Sequence, residues 1–190
     1  VERLMAEAEK EFGREVGSTM LMAAIESPLG VINAYEICTA SPRMMGVALS
    51  AGDFTRTMRA TRTKTGEELF MARSMLVIAA RAAGIMAFDT VHTDLNDFES
   101  LEKETRLVKD MGFDGKSIIS PRQIATIHKV FTPTQKEIEH ALHIVEGVKE
   151  SAAKGMEFLL LMDKWLTLPT LKGQNVPLNS LKQQAYIRGI

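Results

Sequence analysis

Two carboxylates stand where a divalent cation could be held. Glu26 closes the continuously apolar run Met20 to Ile25, and Asp53 follows Ala51 and Gly52 just after a second run, Met44 to Leu49. Short apolar runs without polar alternation suit strands buried on both faces of a parallel sheet. In such sheets ligands bind at the carboxyl ends of the strands, and neighbouring strands lie about 4.8 Å apart. Two carboxylates converging on that rim suit a hard cation such as Mg²⁺, its coordination completed by water and an oxygen-rich substrate. Spacing alone equally allows each acid to cap the next helix or to pair with Arg56 or Arg59.

Other chemistry-bearing residues give weaker signals. His92, just past a third apolar run, has the chemistry of a general base, but a single loop histidine is more often simply solvated. His128, His140 and His143 fall on expected helices without a further ligand at metal spacing, so surface positions are expected for them. Cys38 has no adjacent base and reads as buried and inert. The pairs Met20/Met22 and Met44/Met45 read as core packing. Ala48 to Asp53 has one glycine and lacks the Lys-Ser/Thr of a phosphate loop.

The elements that must position these residues alternate along the chain. A helix is expected at the amino end, with Leu4, Met5, Ala8 and Phe12 at helical spacing before Gly13. Strands are expected at Met20–Ile25, Met44–Leu49, Ile85–Val91 and Lys116–Ile119. Between them lie helical patterns with clear punctuation. Ser27-Pro28, Ser120-Pro121 and Thr132-Pro133 each set a hydroxyl before a first-turn proline. Gln123, Gln135 and Glu68 stand three residues after Ser120, Thr132 and Thr65, which is capping-box spacing. Gly84, Gly112 and Gly155 fall where helices should stop. The segment Gly66 to Ala83 is expected to bury Leu69, Phe70, Leu76, Val77 and Ala80 on one side. Helix–strand alternation of this kind defines an α/β class with a parallel sheet.

Composition narrows the function. The 190 residues carry 23 basic and 24 acidic side chains, a formal net charge of −1. That balance gives no electrostatic reason to expect nucleic acid or an anionic membrane as partner. With 45% hydrophobic and 25% charged residues the chain has the makeup of a globular domain. One cysteine cannot form an internal disulfide, and the first residues open directly into a charged amphipathic pattern rather than a signal peptide. The longest uncharged apolar stretch, Thr19 to Ile25, is far below the ~20 residues a membrane helix needs. A soluble, cytoplasmic chain is expected.

The motifs also carry a resemblance. Ala24-Ile25-Glu26-Ser27-Pro28-Leu29-Gly30-Val31 resembles the A-I-E-S-x-x-G-V segment of citrate lyase β-subunits and their relatives in the HpcH/HpaI aldolase superfamily. Ala40-Ser41-Pro42-Arg43, Gly46 to Leu49 and Ala51-Gly52-Asp53 are similar to that family's A-S-x-R…G-x-A-L-G-A-E-D. Phe88-Asp89-Thr90-Val91, Gly112 to Ser117, Pro121 to Ile124 and Pro133 to Glu137 continue it, so that it covers residues 1–155. The Gly112 to Ser117 and Pro133 to Glu137 blocks favour citrate lyase β over the citramalyl- and malyl-CoA lyases.

The resemblance implies a (β/α)8 barrel that cleaves a citryl thioester, carried by an acyl carrier protein in a complex with a transferase subunit, into oxaloacetate and an acetyl thioester. It implies Mg²⁺ on Glu26 and Asp53, and oligomerisation of the intact family member. It implies a carboxylate held by the N–H groups of Ala51, Gly52 and Asp53, and a thioester entrance lined near Pro121 and Gln123. The four strands then match strands 5–8, the second half of the barrel. Gly52 stands where the family usually has glutamate. A citramalyl- or malyl-CoA lyase, and a non-catalytic fragment, are the competing readings.

Residues 1–155 thus form the expected lyase domain, and 156–190 an atypical tail. The tail is leucine-rich, holds the only tryptophan, Trp165, and keeps neither periodicity. Codons compatible with Met156 onward, read one base out of phase, can spell a family-like carboxyl terminus. The tail is therefore expected to be out of frame and Trp165 poorly buried.

Overall fold

The computed structural model describes residues 1–153, 158–161 and 164–167. It divides into a unit spanning Val1–Thr132 and a second spanning Pro133–Ile190. In the first unit, strands β1 (Leu21–Ile25), β2 (Met44–Leu49), β3 (Met86–Asp89) and β4 (Gly115–Lys116) form one sheet in the order β1-β2-β3-β4. All three pairings are parallel. The helices are α1 (Glu2–Glu11), α2 (Pro28–Ile32), α3 (Ala34–Cys38), α4 (Ala51–Met58), α5 (Phe70–Ala83), α6 (Phe98–Asp110) and α7 (Ile124–Phe131). The expected α/β class and parallel sheet are observed.

Alternation along each strand sends neighbours to opposite faces. Ile25, Val47, Leu49 and Ala87 are buried on one face, in a core shared with Phe54, Leu69, Leu76 and Ala80. On the other face Met22, Ala24 and Met86 are exposed and Phe88 is half-buried. The methionine pairs expected in the core are thus largely at the surface: Met20, Met22 and Met45 are all exposed. The Phe88 ring lies across this second face, where the glycines of the flanking strands admit it. A Cβ at Gly46 would lie 2.9 Å from Phe88 Cε2, and one at Gly115 3.1 Å from Phe88 Cδ1.

Local signals held where backbone chemistry decides. Ser27 Oγ accepts from the Gly30 N–H, and Ser120 Oγ from the Arg122 N–H, as their caps require. Two expected capping boxes shift. Glu68 binds the Thr63 N–H and hydroxyl rather than Thr65. The helix α8 (Gln135–Ala153) of the second unit starts from Thr134, with reciprocal Thr134 and Glu137 bonds, rather than from Thr132. Glu68 reaches back to a residue outside box spacing, whereas Thr134 and Glu137 keep that spacing in a box that starts later than expected.

Other differences have tertiary causes. The fourth strand is Gly115–Lys116, not Lys116–Ile119, because pairing with β3 ends where Lys116 turns inward to Asp89. The third is Met86–Asp89 rather than Ile85–Val91. Helix α5 begins at Phe70 after a 3-10 turn at Glu67–Leu69; it buries Ala72, Arg73, Leu76, Ala79 and Ala80, while Phe70 faces outward. On α1 the buried residue is Glu9, whereas Leu4, and Phe12 just past the helix end, are exposed. Glu9 accepts from the Gly17 and Thr19 N–H groups and from both Arg43 terminal nitrogens. An ionic latch thereby docks the helix where an apolar stripe was expected.

The second unit contains α8 and an antiparallel pair, β5 (Phe158–Leu161) and β6 (Lys164–Thr167). The remainder of the expected out-of-frame tail, and the burial of Trp165, lie outside the described residues. No helix among the described residues is long and apolar enough to cross a membrane.

Replacing Gly46 with alanine forces a methyl group into the Phe88 ring and the Met86 carbonyl, 3.2 Å away. Urea denaturation of Gly46→Ala is expected to show a loss of about 1–3 kcal/mol. The loss should shrink in a Phe88→Leu background, because the two sites couple through direct contact.

Candidate functional site

The carboxyl ends of β1 and β2 bring the two predicted carboxylates to one rim. Ile25 pairs with Leu49, and the Ser50 N–H donates to the Ile25 carbonyl at 2.9 Å. Glu26 therefore follows one end of that hydrogen bond, and the first turn of α4, with Asp53 at its third position, follows the other. Glu26 is exposed, and no hydrogen bond or ion pair engages its side chain among the described residues. Asp53 is partly exposed and pairs with Arg56 Nη2 at 2.7 Å. That is the pairing allowed from spacing alone, and at the surface such an i,i+3 pair is weak.

The donor set fits a hard cation. Two accessible carboxylates on adjoining turns, with room for water, match the way Mg²⁺ is held by one or two carboxylates plus substrate oxygens. No group of three or more His, Cys, Asp or Glu placed to hold a metal occurs among the described residues. Gly52 is exposed, with no heavy atom within 4 Å of where a Cβ would stand.

The other expected site residues have different duties. Ala51 is buried and its N–H donates to Thr90 Oγ1 at 3.1 Å, so that donor is already engaged. The Gly52 and Asp53 N–H groups remain first-turn donors that helix geometry leaves without intrahelical acceptors. Pro121 is exposed at the start of a 3-10 turn. Gln123 is buried and uses both ends of its amide: Oε1 accepts from the Ile119 N–H and Nε2 donates to the His92 carbonyl. It ties the loop after β4 to the loop after β3. His128, His140 and His143 are exposed as expected, and Cys38 is buried, with burial pushing its thiol pKa up.

Beneath the rim lies a buried ionic cluster that sequence reasoning missed. Arg73 on α5 donates from Nε and Nη2 to the two Asp89 oxygens at 2.8 and 2.9 Å, and from Nη2 to Glu104 Oε1 at 2.6 Å. Lys116 Nζ donates to Asp89 Oδ2 at 2.7 Å and to the Thr90 carbonyl at 2.8 Å, and lies 3.3 Å from Glu104 Oε2. His92 Nδ1 is 2.9 Å from Glu104 Oε2, so this histidine is half-buried and paired rather than solvated. Gly66, at φ +70°, closes the cluster's edge; a Cβ there would meet Arg73 Nη1 at 2.8 Å. Arg73 Nη1 and His92 Nε2 are buried without partners among the described residues. The available signal was a charge inside each apolar pattern, Arg73 on the α5 stripe and Asp89 in the third run, because buried charges must be paired.

Burial alone would raise the Glu104 pKa, but Lys116, His92 and Arg73 outweigh it and hold the carboxyl at about 2 against an ordinary 4.5. The folded value is the lower one, so this stabilisation is complete above about pH 4.5 and is lost as pH falls toward about 2. Urea midpoints are expected to fall across that window. Glu104→Gln should lose about 3 kcal/mol at pH 7 and show a flatter acid limb.

The HpcH/HpaI aldolase/citrate lyase family pattern matches residues 1–121. The citrate lyase subunit beta of Leuconostoc mesenteroides is 50% identical over 177 residues, 93% of this chain and 59% of that protein. The match thus takes in part of the segment beyond residue 155, and the chain spans about three-fifths of that relative's length. The citrate lyase beta subunit of Mycobacterium tuberculosis, solved with oxaloacetate and magnesium, is 30% identical with a TM-score of 0.56, covering 67% of this chain and 57% of that one. A citrate lyase from Burkholderia xenovorans, at 14% identity, shares the fold with a TM-score of 0.78 over 96% of this chain and 59% of its own. Matched over most of its compact first unit and half identical to a curated relative, the chain belongs to the HpcH/HpaI aldolase/citrate lyase family.

Proposed function

We propose that this chain supplies the Glu26–Asp53 side of the active site of a citrate lyase β-like carbon–carbon lyase. Its substrate is a citryl thioester on an acyl carrier protein, within a complex that includes a transferase subunit. The observation that carries the reading is the pair of accessible carboxylates on adjoining turns, tied by the bond from Ser50 N–H to the Ile25 carbonyl. The half-identical citrate lyase relative supports it. The sheet is read as the last four strands of a (β/α)8 barrel. Its second apolar face, with Met22, Met86 and Phe88, suits the layered interior of such a barrel, and the chain spans only 59% of that relative.

The reaction breaks the bond between the hydroxyl-bearing carbon and the thioester-side methylene. The hydroxyl loses its proton and becomes the ketone of oxaloacetate; the bonding pair passes to the thioester enolate, which takes up a proton to give the acetyl thioester. Mg²⁺, when bound, supplies a Lewis acid for the substrate's hydroxyl and carboxylate oxygens. Glu26 and Asp53 hold it through oxygen donors. The Gly52 and Asp53 N–H groups offer hydrogen bonds to a substrate carboxylate. Gln123 and the buried cluster keep the surrounding loops in place, which matters because alignment contributes as much as ~7–11 kcal/mol to such reactions.

Calorimetry should detect weak Mg²⁺ binding that Glu26→Ala and Asp53→Ala each abolish; unchanged affinity in both variants would overturn the metal assignment. Gly52→Glu is sterically free and should tighten Mg²⁺ by adding an acid beside Asp53 at a helix amino end. Alone, the chain should turn over citryl thioester many decades below an intact subunit. Co-folding with the part of the Leuconostoc subunit that lies outside the match should restore cleavage of citryl, but not citramalyl or malyl, thioesters. The opposite preference would favour the CoA-lyase reading.

A further inference from the structure

Helix α4 begins in an unusual way. Its first residue, Ala51, is buried, and its N–H is one of the donors that helix geometry leaves without an intrahelical acceptor. A capping side chain just before a helix accepts from its second or third N–H and not from the first, and the Ser50 side chain makes no capping bond in any case. The acceptor comes from just past the end of a nearby strand, where Thr90, itself buried, receives the Ala51 N–H on Oγ1. Thr90 directly follows β3 and is gripped at its carbonyl by Lys116 Nζ, whose charge is balanced by Asp89 and Glu104. From the other side, the Ser50 N–H ties the same turn to Ile25, the residue before Glu26. The turn bearing Asp53 is thus bracketed between β1 and β3, with the buried cluster as the fixed end.

We propose that Thr90 is a positioning residue for the Glu26–Asp53 site, its hydroxyl setting the first turn of α4, and with it Asp53, against Glu26. The inference rests on the metal reading given above and adds a residue that touches neither metal nor substrate. Valine matches threonine in shape but removes the acceptor, and leaves a buried N–H unpaired. The turn then relieves the unpaired donor by shifting toward water, which moves Asp53. Serine keeps the acceptor and restores the turn.

The test measures Mg²⁺ affinity by calorimetry on the full chain and its variants, with amide hydrogen exchange at Ala51 as a second readout. Thr90→Val is expected to weaken Mg²⁺ roughly tenfold and to speed exchange at Ala51, while Thr90→Ser stays within about twofold of the parent. Glu26→Gln serves as the control that removes a ligand directly. Loss of binding in Glu26→Gln with parental affinity in Thr90→Val overturns the positioning role and leaves the metal site standing. Parental affinity in Glu26→Gln, or no binding by the parent chain, overturns the metal reading and this inference with it. Should Thr90→Val fail to fold, Thr90→Ser decides: near-parental affinity with slow Ala51 exchange supports the role, and a tenfold loss overturns it.

Discussion

The ion cluster of Arg73, Asp89, Glu104 and Lys116 is the constraint on which the carboxyl rim of the sheet depends. Two cations and two carboxylates are withdrawn from water there, and each must be matched, because an uncompensated buried charge costs several kcal/mol. The matching fixes geometry. A guanidinium fork demands a planar pair of oxygens, and Asp89 supplies them to α5 from the end of β3. Lys116 then spans from β4 to both acids and to the Thr90 carbonyl. A hydrophobic cluster of the same volume would bury as well, but it would not dictate which atom lies against which.

Two strands away, the candidate metal site inherits that order without sharing the charges. Its own carboxylates are exposed and weakly held, Asp53 by a surface arginine and Glu26 by nothing among the described residues. Such a pair has no means of fixing its own separation. Backbone and hydroxyl hydrogen bonds do that work, from Ser50 to Ile25 and from Ala51 to Thr90. The arrangement places accessible groups, free to bind, on a scaffold made rigid by groups that are not.

The opposite end of the sheet uses the same device once more. Glu9 on α1 takes two backbone N–H groups and the Arg43 fork, and Arg43, foremost among these partners, holds its carboxyl well below the usual carboxylate range. A helix whose Leu4, like Phe12 just past its end, is exposed is thereby still seated. Between the two ionic ends lies an ordinary apolar core on one face of the sheet, while the other face shows Met22, Met86 and Phe88 without deep burial.

The sequence alone determined the alternation of helices and strands, the first two strands, the Ser27 and Ser120 caps and the two carboxylates at strand ends. These follow from local rules: apolar runs, prolines after hydroxyls, and glycines at helix ends act within a few residues. The sequence could not show that Glu68 would choose Thr63, that α1 would dock through Glu9, or that Ala51 would spend its N–H on Thr90, thirty-nine residues away. It also misplaced the methionines, because the period of a strand reveals which residues share a face but not which face is covered. Those choices belong to tertiary structure, since a hydrogen bond or ion pair between distant segments exists only once the sheet's register has brought both partners to one end.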